Sequence, residues 1–155
     1  MPFRPRPQGV PGAGSALYWA LFVVGVVMKA RTCLNLAAIA GFTGVAMGAF
    51  GAHSLKGVIE PELMQAYQTG VLYHLVHALA LLAMGAWLYV RPASWIKRST
   101  YMMVLGLLLF SGSLYTMALT GERALGVITP FGGVAWLIGW AFLILAAFRL
   151  PADEN

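Results

Sequence analysis

Four apolar blocks without a charged side chain constrain this sequence more than any other feature. They cover residues 32–55, 63–90, 99–121 and 124–148. Each block is longer than the roughly 20 residues that a helix needs to cross a bilayer. Charged residues make up only 10% of the chain, against about 25% in soluble domains. The sequence therefore predicts an all-α membrane protein, in which four transmembrane helices form an up-down bundle.

These blocks divide the chain into an extension, a membrane domain and a tail. The membrane domain covers residues 28–150, and a short polar tail follows at 151–155. Within the domain we expect spans at about 33–52, 67–90, 100–119 and 129–148. The longer gap before the second span holds Glu60, Pro61 and Glu62. This pattern is typical of a helix start and suggests a short helix along the outer membrane surface.

The N-terminal extension, residues 1–27, is rich in Pro and Gly up to residue 14 and apolar from residue 15. Three interpretations remain open: an over-extended reading frame before a start at Met28, a signal-like segment, and an extra N-terminal helix. Lys29 and Arg31 separate this segment from the first span. Burying a cation at mid-membrane costs roughly 2.5–3.5 kcal/mol. Any helix through both segments must therefore break or reach the surface there.

The basic residues predict the orientation of the spans. If the N-terminus is cytoplasmic, eight of the ten basic residues face the cytoplasm: Arg4, Arg6, Lys29, Arg31, Arg91, Lys97, Arg98 and Arg149. Only Lys56 and Arg123 then lie outside. This asymmetry follows the positive-inside rule, so both termini are expected in the cytoplasm. The net charge of +5 is spread along the chain, which argues against a nucleic-acid-binding surface.

Small residues predict where the helices pack closely. The candidates are Gly41, Gly44, Gly48 and Gly51 in the first span, Ser111 and Ser113 in the third, and Gly132 and Gly133 in the fourth. The four glycines of the first span recur every three or four residues and share one helix face. In lipid, close backbone approach is a main source of helix association. The partner of this face is either another span of the same chain or a second copy in a homo-oligomer.

Three histidines provide the main candidate for chemistry. His74 and His77 lie one turn apart on the second span, and the hairpin with the first span is expected to bring His53 into the same outer-leaflet region. Imidazoles bind copper and zinc, so one interpretation is a metal site. The alternatives are structural hydrogen bonding within the bundle and a proton relay.

Other features of the sequence argue against an enzyme. It contains no Ser-His-Asp arrangement and no phosphate-binding or dinucleotide-binding glycine motif. No acidic residue lies inside an expected span. Cys33 is the only cysteine, so no internal disulfide forms. No cofactor is expected unless the histidines bind a metal.

Several motifs occur in the order found in a known family. They are Gly48–His53, Tyr73-His74 with His77–Leu82, Leu109–Tyr115, and Ile128–Gly133 followed by Gly139-Trp140. Over residues 28–148 the chain resembles the YgdD-like small inner-membrane proteins. That family is classed as domain of unknown function 423 and is related to the eukaryotic transmembrane protein 256. The resemblance implies a bacterial inner-membrane location and four helices, and it implies no activity.

The sequence thus favours a non-enzymatic integral membrane protein that acts as an accessory, assembly or structural subunit. The bilayer is its expected environment, and a homo-oligomer or a larger membrane complex is the expected context. The alternative is a small metal-binding or proton-handling membrane protein that uses His53, His74 and His77.

Overall fold

A computed structural model describes residues 28–150. The interpretations of the extension at 1–27 and of the tail at 151–155 lie outside the described residues. We label five α-helices: α1 (Ala30–Phe50), α2 (Pro61–Val90), α3 (Ser94–Gly106), α4 (Gly112–Thr120) and α5 (Thr129–Ala147). Two π-helical turns, Gly51–Leu55 and Leu107–Ser111, and a 3-10 helix, Arg123–Val127, extend or join them.

These elements form four continuous helical spans, numbered here in chain order: Ala30–Leu55, Pro61–Val90, Ser94–Thr120 and Arg123–Ala147. The fourth and shortest contains 25 residues. At 1.5 Å per residue this gives roughly 37 Å, which exceeds the hydrocarbon thickness of about 30 Å. All four are apolar enough to cross a membrane. The predicted all-α, four-span architecture is confirmed.

The second span begins earlier than the hydropathy suggests. Pro61 lies in the first turn of one uninterrupted helix that ends at Val90. The prediction of a separate surface helix near Glu60-Pro61-Glu62 is therefore wrong. Glu62 and Gln65 are polar, but they are compatible with a helix that projects beyond the hydrocarbon layer. Proline suits this position because the first turn of a helix needs no N–H bond from it.

Local backbone chemistry ends the other helices. Arg91 has an extended conformation before Pro92, which ends the second span. Gly121 closes the third span in the left-handed region, with φ of 73°, a conformation that favours glycine.

At the start of α5 the chain is already helical at Ile128, and Thr129 makes no capping bond. Its hydroxyl instead lies 2.8 Å from the Ser113 hydroxyl on the third span.

The second and third spans form the centre of the bundle. In the most apolar 18-residue segment of each of these two spans, 39% of the residues are buried, against 22% in the corresponding segments of the first and fourth spans. The first span packs along the second, the fourth packs along the third, and the two pairs meet where the second span contacts the third. The larger buried cluster includes Leu81, Met103 and Trp136. A smaller cluster surrounds Tyr67 and Tyr115.

Charged residues lie only at the two ends of this bundle. The basic end carries Lys29, Arg31, Arg91, Lys97, Arg98 and Arg149. The mixed end carries Lys56, Glu60, Glu62, Glu122 and Arg123. At the mixed end the Arg123 guanidinium donates to the carboxylates of Glu60 (2.8 Å) and Glu62 (3.0 Å). These exposed ion pairs join the start of the second span to the start of the fourth.

Candidate functional site

His74 lies near the middle of the second span and joins three spans. Its side chain is buried, with 4% of the residue exposed. Nδ1 lies 3.1 Å from the Tyr115 hydroxyl on the third span. Nε2 lies 3.3 Å from the Thr43 hydroxyl on the first span. Because Pro61 starts the helix, His74 is roughly 20 Å along its axis, near the middle of the bundle, whereas the sequence predicted a position in the outer-leaflet region.

The partners of Thr43 assign donor and acceptor roles in this cluster. The Thr43 hydroxyl donates to the Ile39 carbonyl at 2.8 Å, so its oxygen is left to accept. His74 therefore donates from Nε2 to Thr43, and its Nδ1 accepts from the Tyr115 hydroxyl. Both ring nitrogens of a neutral imidazole are satisfied in this arrangement. Three spans are thereby joined through one side chain.

His77 faces the same side of the helix but contacts a different span. Its Nδ1 donates to the Tyr73 carbonyl one turn earlier, at 2.8 Å. Its ring is stacked on the indole of Trp136 in the fourth span, with centroids 3.6 Å apart. Trp136 in turn donates from Nε1 to the Met103 carbonyl in the third span, at 3.0 Å. His77 is therefore held in an aromatic layer between the second, third and fourth spans.

His53 does not join the other two histidines. It is exposed in the π-helical turn at the end of the first span. His74 contacts Thr43, which precedes His53 by ten residues and hence lies roughly 15 Å from it along the helix axis. Over residues 28–150, no three His, Cys, Asp or Glu side chains are grouped as a metal site requires. The predicted ligand set of His53, His74 and His77 is not formed in this structure.

The remaining polar side chains of the interior also bond to neighbouring helices. Ser111 donates to the Gly70 carbonyl at 2.9 Å, and Ser99 donates to the Gly139 carbonyl at 2.7 Å. Cys33 is completely buried, and its thiol lies 3.3 Å from the Leu81 carbonyl. No fully buried side-chain nitrogen or oxygen in the described part of the chain lacks a hydrogen-bond partner. In lipid, such bonds are what holds polar groups inside a bundle.

The glycine face of the first span lies against the second span over most of its length. A Cβ atom on Gly44 would lie 2.8 Å from Leu75, and one on Gly51 would lie 2.5 Å from the Tyr67 ring. A Cβ on Gly48 would lie 3.3 Å from Val71. The partner of these three glycines is thus within the same chain. Gly41 has nothing within 4 Å of its Cβ position, so close packing is not observed there.

The small residues of the third and fourth spans have unequal roles. A Cβ on Gly132 would overlap the backbone of Phe110. A Cβ on the adjacent Gly133 would come no closer than 4.0 Å to Cδ2 of the Phe110 ring. The π-helical turn Leu107–Ser111 shapes this contact, because the Gly112 N–H bonds to the Leu107 carbonyl five residues earlier. The extra residue in the turn rotates Ser111 toward the second span.

Sequence reasoning missed the three side chains that hold the histidines: Thr43, Tyr115 and Trp136. Thr43 is one polar residue on an exposed part of the first span. Tyr115 and Trp136 occur within apolar runs, where an aromatic residue is expected whatever its contacts. The only signal was the presence of Tyr73 and Tyr115 in motifs shared with the related family.

A family model and individual known proteins match this chain over most of its membrane domain. The model of the family described as "Protein of unknown function (DUF423)" matches residues 47–133. The chain is 43% identical to the UPF0382 inner membrane protein YgdD of Escherichia coli K12 over 123 residues, which is 79% of this chain and 94% of that protein. It is 41% identical to the UPF0382 membrane protein YwdK of Bacillus subtilis over 122 residues, 77% of this chain and 98% of that protein. No solved structure matches the chain. The chain therefore belongs to the UPF0382 family of membrane proteins, which is the family of unknown function DUF423.

Proposed function

We propose that the protein is a non-enzymatic accessory or structural subunit of a larger assembly in the bacterial inner membrane. The observation that carries the proposal is the state of the two buried histidines. His74 is hydrogen-bonded to Tyr115 and Thr43, and His77 is stacked on Trp136 and bonded to its own helix. A catalytic imidazole must reach a reacting group, whereas both ring nitrogens of His74 and Nδ1 of His77 are hydrogen-bonded within the bundle.

The outer surface of the bundle supports an assembly role. An apolar groove of about 420 Å³ lies between the first and second spans and includes the open side of Gly41. The first span also exposes Ile39 (60%), Phe42 (77%) and Val45 (63%). Close approach of another helix needs small residues at the contact, and Gly41 with Ala38 provides them in this groove.

The proposed orientation has the basic end in the cytoplasm, with both termini there. Six described basic residues and no described carboxylate lie at that end, which fits the positive-inside rule. The printed name of the Escherichia coli relative describes an inner membrane protein. A reporter fused to the C-terminus tests the orientation. The proposal requires a cytoplasmic signal, and a periplasmic signal contradicts it.

The test of the assembly role is to purify the tagged protein from native membranes after mild cross-linking. A partner that copurifies at a fixed ratio with wild-type protein and is lost in Gly41→Leu supports the role. The matched control is Phe42→Leu, which keeps an exposed apolar side chain next to the groove. If neither the wild-type protein nor Phe42→Leu retains a partner protein or a second copy of the chain, the assembly role is wrong.

A second candidate function, proton handling, is favoured by one specific observation. Thr43, His74 and Tyr115 form an unbroken hydrogen-bonded series across three spans. An ionisable residue at membrane depth is a candidate for proton transfer. Proton flux into liposomes that contain the purified protein distinguishes the two functions. Flux above that of protein-free liposomes, lost in His74→Phe and retained in the control Thr116→Val, supports proton handling.

A further inference from the structure

Two arginines of the basic end, Arg91 and Arg149, line a cavity that the proposed assembly role does not use. The cavity has a volume of about 300 Å³ and is lined by Arg91 and Arg149 together with Trp87 and Trp95. It lies where the turn between the second and third spans meets the end of the fourth span. Its volume is at the lower end of the range for ligand pockets.

Trp95 organises the positive charge beside this cavity. The Arg98 guanidinium lies over its ring at 4.6 Å, and the Arg149 guanidinium lies at 5.2 Å. Stacking on an indole limits the freedom of a guanidinium and leaves its N–H groups available. Among the described residues, both ion pairs belong to Arg123 at the opposite end. The arginines of the cavity therefore have no described carboxylate partner.

An apolar groove shares a wall with the arginine cavity. It lies between the second and fourth spans, has a volume of about 370 Å³, and is lined by Ala83, Trp87, Trp140 and Ala147 among other apolar side chains. Trp87 lines both spaces. Ala146 lines the cavity and its neighbour Ala147 lines the groove. A ligand with an anionic head and an apolar chain is complementary to the two spaces together.

We propose that the cavity of Arg91, Trp95 and Arg149 binds the phosphate group of an anionic phospholipid, one acyl chain of which occupies the groove beside Trp87. The chemistry fits at both ends of this ligand. Guanidinium groups bind phosphate oxygens in a bidentate way, and basic pockets between transmembrane helices are suited to anionic headgroups. The groove has no charged side chain and suits an acyl chain. This inference does not depend on the proposed assembly role.

The test titrates the purified full chain in neutral detergent with phosphatidylglycerol, phosphatidylcholine or inorganic phosphate, and counts bound molecules by native mass spectrometry. The wild-type protein is expected to retain one phosphatidylglycerol under conditions in which it retains neither other probe. Because Arg91→Gln/Arg149→Gln removes the two guanidinium groups that would bind the phosphate directly, it is expected to weaken binding by at least about tenfold.

Two further variants make the result specific. Lys29→Gln/Arg31→Gln removes the same charge from exposed positions at the same end, and because exposed charges that do not touch the ligand are screened by salt, it is expected to change binding by less than about twofold. Ala83→Trp fills the groove from an exposed position and is expected to weaken phosphatidylglycerol binding. Circular dichroism and the elution volume check that each variant is folded. If the arginine variant is unfolded, Ala83→Trp still tests the acyl-chain site.

Three outcomes overturn the proposal. An equal loss in the two charge variants shows attraction to the basic end as a whole. Equal retention of phosphatidylglycerol and of zwitterionic phosphatidylcholine, which also carries a phosphate, shows that the site does not select an anionic lipid. Inorganic phosphate that binds as well as the lipid, with no effect of Ala83→Trp, shows a site for a small anion.

Discussion

The imidazole of His77 lies flat against the indole of Trp136, with ring centroids 3.6 Å apart and an angle of 4° between the planes. The same indole covers Gly106 of the third span, where a Cβ atom would overlap the ring. It also donates a hydrogen bond to the Met103 carbonyl. Trp136 of the fourth span thus contacts both the second and the third span, and His77 packs against one face of its indole.

We expect Gly106→Ala to destabilise the protein, because the new methyl group would displace the Trp136 indole. Overpacking of this kind costs about 1–3 kcal/mol, which exceeds the gain of about 1 kcal/mol from replacing a helical glycine. The control is Gly112→Ala, which has nothing within 4 Å of its Cβ position. Thermal unfolding in detergent measures both. A Tm for Gly106→Ala equal to that of the control would show that the indole is loosely held.

Adjacent glycines in the fourth span are expected to respond in opposite ways to alanine. Gly132→Ala places a methyl group against the Phe110 backbone, which cannot rotate away, so the Tm should fall. Gly133→Ala makes only an ordinary van der Waals contact with Cδ2 of Phe110, at 4.0 Å, so the Tm should stay the same or rise. The thermal melts of the two variants are compared directly. The reverse order of Tm values would mean that the face of the fourth span is rotated by about one residue, or 100°.

His74 and Tyr115 should show a favourable coupling energy in a double-mutant cycle. The variants are His74→Phe, Tyr115→Phe and their combination, because each removes a polar partner of the 3.1 Å bond. Hydrogen bonds between membrane helices average about 0.6 kcal/mol and reach about 1.7 kcal/mol, and the buried position of this pair favours the upper part of that range. Chemical unfolding in mixed micelles gives the four free energies of unfolding.

The same cycle with Thr116→Val in place of Tyr115→Phe is the control for the coupling. Thr116 is exposed, and its side-chain hydroxyl donates to the Gly112 carbonyl of its own helix. Its coupling to His74 should be zero within error. If the His74–Tyr115 coupling is also zero, the hydrogen bond does not contribute to stability, and the structural role of His74 loses its support.

The ion pairs of Arg123 are expected to contribute little. Its side chain is 62% exposed, and those of Glu60 and Glu62 are 66% and 77% exposed. Water and salt screen such pairs, so their measured contributions are small. Arg123→Gln should leave the Tm unchanged at both low and high salt. A large decrease at low salt that disappears at high salt would show that these pairs hold the mixed end together.

The sequence was sufficient for the class, the number of spans and their approximate positions, because hydropathy records which residues the hydrocarbon covers. Hydropathy alone was a poor guide to where the helices start, whereas the helix start predicted from Glu60, Pro61 and Glu62 is confirmed. The second span extends back to Pro61, not residue 67, because polar residues such as Gln65 do not stop a helix outside the hydrocarbon. Counted from Pro61, His74 lies near the midpoint of a 30-residue helix.

The spacing of residues along one helix could not predict the contacts that the histidines make with other helices. Spacing correctly predicts that His74 and His77 share a side of the second span, but it gives no information on how other spans rotate toward that side. The π-helical turn Leu107–Ser111 adds a residue to the third span and changes which side of α4 faces the second span. Tyr115 reaches His74 from that helix. The open position of Gly41 depends likewise on how the first span crosses the second.

The most direct test of the central claim, that His74 and His77 serve packing, is the metal content of the purified protein. Wild-type protein, His74→Ala and His77→Ala are prepared from native membranes without chelators, and copper and zinc are measured by mass spectrometry together with the Tm. We expect copper and zinc at background level in all three proteins, and a lower Tm in both variants. One copper or zinc ion per wild-type chain that is absent from both variants would contradict the central claim.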